Sequence, residues 1–254
     1  RKPGFNSYNR VSIDCDEQTL VNKGQDRAGF GRLRISDNEE AYYQWIADGH
    51  FTYGQSIAET IKQNIEPALT MAFTTLLKSY GQANLQSVSE TVSAPDFHIA
   101  IIRSLQYGVA RLNECIMAQF KEKNGGSTFN LAIIIGDSMY TANLGDSSQI
   151  LISAQEKPIL ITANDSVTPK LEEGNEFGMP EFLGDSYIKT KFTAEDGRHL
   201  GSRKVAMSGT MGNASLCGLR RIPAISVLKA PEGAWELLSA SDGVLNGQPR
   251  TYQE

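Results

Sequence analysis

Four aspartates share one local setting: Asp26 in "NKGQDR", Asp48 in "ADGH", Asp146 in "NLGDSS" and Asp242 in "SASDGV". Each stands where an apolar, strand-like run begins or ends, beside or near a glycine. Hard divalent cations such as Mg²⁺ and Mn²⁺ take carboxylate, carbonyl and water oxygens, so aspartates converging from several strand ends could build such a site. At Asp48-Gly49-His50 the missing side chain of Gly49 would let a backbone carbonyl approach a cation closely, and His50 adds a proton donor that titrates near neutral pH. Asp-Gly is also the commonest hairpin signal, so each pair taken singly reads as a turn before it reads as a site.

The elements that must position these groups follow from hydrophobic period. "RAGFGRLRI" and "YYQWIA" read as two strands around the loop signal "SDNEEA", a hairpin whose second strand delivers Asp48. Ile57, Ile61, Ile65, Leu69, Phe73 and Leu76 then recur at helical spacing along residues 55 to 79, with Pro67 expected to kink or divide the helix. "GQANLQSVSETVSAPD" reads as a polar linker, and Ile102, Leu105, Val109, Leu112, Ile116 and Phe120 as a second amphipathic helix stopped by "NGG". "TFNLAIIIGD", "SMYTANLGD" and "SSQILISA" change the period toward two and read as a β-meander. Residues 164 to 204 are polar with little periodicity, an inserted lobe or flap, and "AWELLSAS" is a last strand into Asp242-Gly243. Strands, helices and strands in blocks argue for a segregated α+β fold over a doubly wound one.

Composition narrows the classes. The 254 residues are 40% hydrophobic and 21% charged, enough to bury a core within one domain. A net charge of -5 disfavours a broad nucleic-acid surface, and the longest apolar run is far too short to cross a bilayer. Cys15, Cys115 and Cys217 are widely spaced and odd in number, which fits a reducing compartment, with Cys115 expected as a small buried hydrophobe and no cysteine nucleophile. His98 and His199 lie in polar contexts and are expected at the surface; Trp45 and Trp235 are expected in the core. The chain opens at Arg1 with no signal-peptide pattern.

Taken in order, "GQDR", "ADGH", "GGST", "ANLGDSS" and "LLSASDGV" resemble the successive motifs of the metal-dependent serine/threonine protein phosphatases of type 2C, over about residues 20 to 246. The resemblance implies a single catalytic domain with a four-layer α-β-β-α architecture, an antiparallel β-sandwich flanked by helix pairs. It implies a binuclear Mg²⁺ or Mn²⁺ centre in which Asp48 bridges the ions, the Gly49 carbonyl binds one and Asp242 the other. Gln25 stands at a further ligand position where many members have Glu, and Asp26 would orient a water. Asp146 would belong to a weaker third site, and His50 matches the proposed general acid. Phosphorylated proteins would be the substrates of a monomeric, intracellular enzyme, cytoplasmic or nuclear.

Departures from the family pattern are specific. Val21 stands where members commonly carry a phosphate-binding Arg, with Lys23 as its substitute. Asn246 replaces the partner of Asp146, so the third ion is expected to be weak or lost. In "KVAMSGTMGN", Asn213 stands where the family's Leu-Gly-Asp has its Asp. The family's late Asp-Asn segment, with the closing strands, is expected beyond Glu254 in a longer protein. The alternative reading is a pseudophosphatase, a binding or regulatory module that keeps the fold; a third is a metal hydrolase of another phosphoester.

Overall fold

A computed structural model describes residues 24–34, 40–91, 93–121, 123–153, 159–162, 181–182, 188–193, 199–205, 209–213, 219–231, 233 and 235–241. β1 (Arg27–Arg34) and β2 (Glu40–Ala47) form the expected antiparallel hairpin. The two-residue β3 (Gly49–His50) follows, and then α1 (Gly54–Ser79), α2 (Leu85–Thr91) and α3 (Ala94–Gln119). β4 (Gly126–Ser127), β5 (Phe129–Ile135), β6 (Ser138–Leu144), β7 (Ser148–Ser153) and β8 (Ile159–Leu160) come next. β9 (Glu181–Phe182), β10 (Ile188–Thr193), β11 (His199–Val205), β12 (Met211–Gly212), β13 (Ala224–Lys229) and β14 (Trp235–Ala240) complete the order.

α1 buries the apolar stripe its period predicts, Ile57, Ile61, Ile65, Leu69, Phe73 and Leu76. Pro67 does not divide it: the helix runs unbroken through residue 79. Pro67 and Gln63 both lie on the exposed side, so the carbonyl that the missing N–H would have engaged can turn to water. Past the C-cap Tyr80, Gly81 at φ +62° lets Gln82 N–H donate to the Leu77 carbonyl at 3.1 Å and Gly81 N–H to Lys78 at 3.1 Å, a Schellman stop. The polar stretch expected as linker contains α2, whose Leu85 and Val88 are fully buried. Two apolar residues are too few to produce a readable period, yet they suffice to dock one short helix on the core. α1 and α3 cross where a Cβ on Gly108 would meet Ala72 Cβ at 2.9 Å and the Ala68 carbonyl at 3.2 Å, so only glycine permits that approach.

The principal sheet is antiparallel with order β1-β2-β5-β6-β13. Alternation splits its two faces. Tyr43, Trp45, Phe129, Leu131, Ile133, Tyr140, Ala142 and Leu144 join the helices in one large apolar core. Ile134 and Met139 turn the other way to meet Leu151 and Ile161, with Leu228, Trp235 and Leu237 beside them. β5 is therefore buried along its whole length on both faces, which explains its nearly continuous apolar run. The expected meander ends after β6: at Gly145, φ +103°, the chain leaves the first sheet, and β7 pairs with β14 and β8 in a second sheet. The arrangement is α+β, and among the described residues three of the expected four layers are present: helices, sheet and sheet.

Within residues 164 to 204, expected as a lobe, the described residues form an antiparallel sheet of order β11-β10-β9. Trp45 is buried and Trp235 partly so, as expected. Cys115, expected to be buried, is exposed because it falls outside the α3 stripe. His98, expected at the surface, is half-buried, its Nδ1 2.8 Å from the hydroxyl of the fully buried Tyr140. The side chain of His199 lies outside the described residues.

Candidate functional site

β2 keeps its register with β5 as far as Ile46 opposite Asn130, and then the chain pivots at Asp48. Two hydrogen bonds hold the pivot: Asp48 N–H donates to Thr128 Oγ1 at 2.9 Å, and Thr128 N–H to the Asp48 carbonyl at 2.9 Å. The next two residues pair with a different strand, Gly49 with Ser127 and His50 with Gly126. This change of partner frees the half-buried Asp48 side chain from the ladder's alternation at the strand's end.

Gly49 is the point of convergence. A Cβ there would lie 2.6 Å from the Gly54 carbonyl carbon and oxygen and 2.7 Å from the Gln25 carbonyl oxygen, all backbone atoms unable to yield. A Cβ on Gly54 would lie 2.5 Å from Gln25 Oε1. The entry to β1 thus lies directly on the β3–α1 turn, which puts Gln25 beside Gly49 although 23 residues intervene. Arg27 fastens that entry: its guanidinium donates to the Gly24 and Asp26 carbonyls at 3.3 and 2.7 Å, while Nε donates to Glu59 of α1 at 2.7 Å. The Arg27 hydrogen bond is the chief reason that the Glu59 carboxyl sits below its ordinary range.

Asp26 in turn reaches the far end of the second sheet. Ser241 Oγ donates to Asp26 Oδ2 at 3.2 Å, so the residue immediately before Asp242 lies against the β1 entry. Asp242 itself and Lys23 fall outside the described residues. Asp146 is 6% exposed in the crossover between the sheets, and its neighbour Ser147 shares a 2.6 Å hydroxyl contact with Thr128, the residue that holds Asp48. Four segments distant in sequence, 24–27, 48–54, 126–128 and 146–147, meet at one end of the sandwich, joined by Ser241.

His50 does not stand in solvent. Its Nε2 lies 2.7 Å from Asn213 Nδ2, its Nδ1 is buried, and its ring meets Phe51 edge-on at 5.0 Å. Burial pushes its pKa down from 6.5 to about 4, outweighing the opposing pull of the Asp48 backbone. In this geometry burial favours the neutral imidazole.

The donors suit hard divalent cations in kind: the Asp48 and Asp26 carboxylates, the Gly49 carbonyl and the neutral amide of Gln25. The backbone crowding at Gly49, which leaves its carbonyl unshielded by any side chain of its own, fits such a ligand. Among the described residues, no three His, Cys, Asp or Glu side chains come together as a metal-binding cluster.

A family model for protein phosphatase 2C matches residues 9–172. The chain belongs to the protein phosphatase 2C family. Solved structures carry the same fold at low identity. Serine-threonine phosphatase 2C from Toxoplasma gondii is similar with TM-score 0.66 and 14% identity, over 91% of this chain and 77% of that one. A sex determining protein from C. elegans is similar with TM-score 0.57 and 17% identity, over 91% of this chain and 52% of that one. A bacterial serine phosphatase is similar with TM-score 0.51 and 14% identity, over 91% and 77%. No curated protein matches the chain. In this phosphatase 2C chain, sequence reasoning missed Thr128, Arg27 and Ser241 as supports of the site. Thr128 is the last residue of "GGST", whose glycines drew attention to a turn and not to the hydroxyl that fixes Asp48.

Proposed function

We propose that this protein is a serine/threonine protein phosphatase, hydrolysing phosphoserine and phosphothreonine in proteins with Mg²⁺ or Mn²⁺, as a single catalytic domain. The observation that carries the reading is the close approach of Gln25 to Gly49, together with the Ser241–Asp26 hydrogen bond, which supports a site gathering Gln25, Asp26, Asp48 and the residue before Asp242. Asp48, the Gly49 carbonyl and Asp242 would hold two cations, with Gln25 as a neutral fourth donor and Asp146 at a third, weak position. Such ions, when bound, acidify a water and neutralise charge on phosphoryl oxygens.

The chain's own residues do the rest. Asp26, fixed by Ser241, accepts a hydrogen bond from the attacking water and aims it. Lys23 attracts the substrate phosphate as a point charge in place of the family's arginine. His50 lies beside the leaving oxygen as a neutral hydrogen-bonding ring held by Asn213; a cationic general acid would contribute about 10² to 10⁴-fold, and a neutral imidazole less. The Thr128 bridge keeps Asp48 from turning with the strand.

A second reading, a pseudophosphatase acting as a binding module, is favoured by one observation: Asn213, at a position where the family has Asp, spends its amide on His50. Mn²⁺-dependent phosphate release from a phosphothreonine peptide, with Asp48→Asn as control, separates the two. Turnover lost in the control supports the enzyme. Absence of turnover by the full-length protein in ample Mn²⁺ supports the binding module, and turnover of nucleotide esters alone would indicate another phosphoesterase.

A further inference from the structure

α3 carries one polar residue on its buried stripe. Asn113 is 1% exposed among Val109, Leu112 and Ile116, a placement that is unfavourable unless its amide is fully used. It is used: Asn113 Oδ1 accepts from Gly212 N–H at 2.9 Å, and Nδ2 donates to the Arg221 carbonyl at 3.3 Å. Arg221 closes the ring, its guanidinium donating to the Gly212 carbonyl and, at 2.7 Å, to the Asn213 carbonyl. The turn so gripped is left-handed at two consecutive residues, Gly212 at φ +74° and Asn213 at φ +49°. Among the described residues only one other non-glycine residue has positive φ, Phe51 at +63°, immediately after His50. The two unusual backbones therefore flank one contact, Asn213 with His50.

The small sheet β12-β4-β3 is built for that contact. Gly126 lies between Gly212 and His50 in register, and a Cβ on it would sit 2.5 Å from His50 Nε2 and overlap the Asn213 amide. Glycine at 126 leaves the space through which the two side chains meet. Asn213 is also anchored from below, its N–H donating to the Gly125 carbonyl at 2.8 Å and its amide lying 3.3 Å from Thr210 Oγ1.

We propose that Asn113 and Arg221 are positioning residues, a clamp on the Gly212–Asn213 turn that holds Asn213 against His50 and so fixes the ring's tautomer and orientation. The clamp links helix α3 to the site across the small sheet. Only its kinetic consequence rests on the phosphatase reading.

The test uses ¹⁵N-histidine NMR of the metal-free protein, where His50 is expected to show one tautomer in wild type. Arg221→Ala and Asn113→Ala are each expected to mix the two tautomers, with Arg221→Lys restoring the wild-type pattern in part. In an Asn213→Ala background, Arg221→Ala should change the His50 resonances no further. In Mn²⁺-supported turnover, Arg221→Ala should lower kcat about tenfold to a hundredfold with KM within about twofold, as expected for a group displaced by a fraction of an ångström to an ångström. Folded Arg221→Ala protein with unchanged His50 resonances overturns the clamp, even if its melting temperature has dropped. If Asn113→Ala does not fold, the two Arg221 variants decide alone. If wild type shows no turnover, the phosphatase reading fails while the resonances still decide the clamp.

Discussion

Strand β6 has a Gly-Asp turn at each end, and the two could hardly differ more. Gly136-Asp137, joining β5 to β6, is an exposed hairpin: Gly136 takes φ +62° with open space around it, and Asp137 faces Lys229 at 4.0 Å with both side chains about three-quarters exposed. Gly145-Asp146, leaving β6, is packed: a Cβ on Gly145 would meet Thr128 at 2.8 Å and the Gly209 carbonyl at 3.2 Å, and Asp146 is buried. One dipeptide makes a solvated bend, the other a crossover between sheets beside Asp48's partner. A turn motif acquires a functional environment only when a second segment is packed over it.

The largest expected effect lies at the reversed dipeptide Asp48-Gly49, where β2 passes into β3. On the phosphatase reading, Asp48→Asn should reduce Mn²⁺-dependent phosphate release about 10³-fold, the scale of several kcal/mol of charge stabilisation. Asp137→Asn, measured in the same assay, should leave it unchanged. A loss at both would erase the distinction between site and turn.

His50 gives a pH-dependent comparison. Its folded pKa, about 4, is depressed below the ordinary 6.5, so the unfolded chain binds the proton first as pH falls. Its contribution to stability is complete above pH 6.5 and disappears as pH drops toward 4, by about 1.4 kcal/mol per unit and about 3 kcal/mol in all. Urea denaturation from pH 7 to pH 4 should therefore show the gap between wild type and His50→Gln narrowing; a constant gap would contradict the burial.

The two glycines of β6 should separate next. Gly145→Ala is expected to destabilise by about 2 to 4 kcal/mol, combining left-handed strain with collision against Thr128, whereas Gly136→Ala carries the strain alone, about 1 to 2 kcal/mol. Equal losses in denaturant midpoint would refute the packing difference. The smallest effect is Lys229→Ala, which removes an exposed pair and should change stability by less than about 1 kcal/mol.

Much of the fold was legible because it depends on local period. The hairpin β1–β2, the α1 stripe and β5 through β7 follow from apolar spacing in their own segments. Helix α2 was not legible, since Leu85 and Val88 alone do not make a period, and neither was the switch of β7 into the second sheet, which depends on its pairing with β14 more than 80 residues later. Asp48 and Gly49 could be picked out from their order in a family pattern; that His50 is turned inward onto Asn213 could not.

The sequence by itself determined the types of the longer periodic elements, the positions of the acidic strand ends and the family, because periodicity, turn residues and motif order are all written along one chain. Tertiary structure decided which of those acids share a place, the neutrality of His50 and the support given by Asn113 and Arg221. Burial and hydrogen bonding across 32 to 215 residues of sequence, from Arg27–Glu59 to Asp26–Ser241, depend on which surfaces close on one another, and no local pattern encodes that.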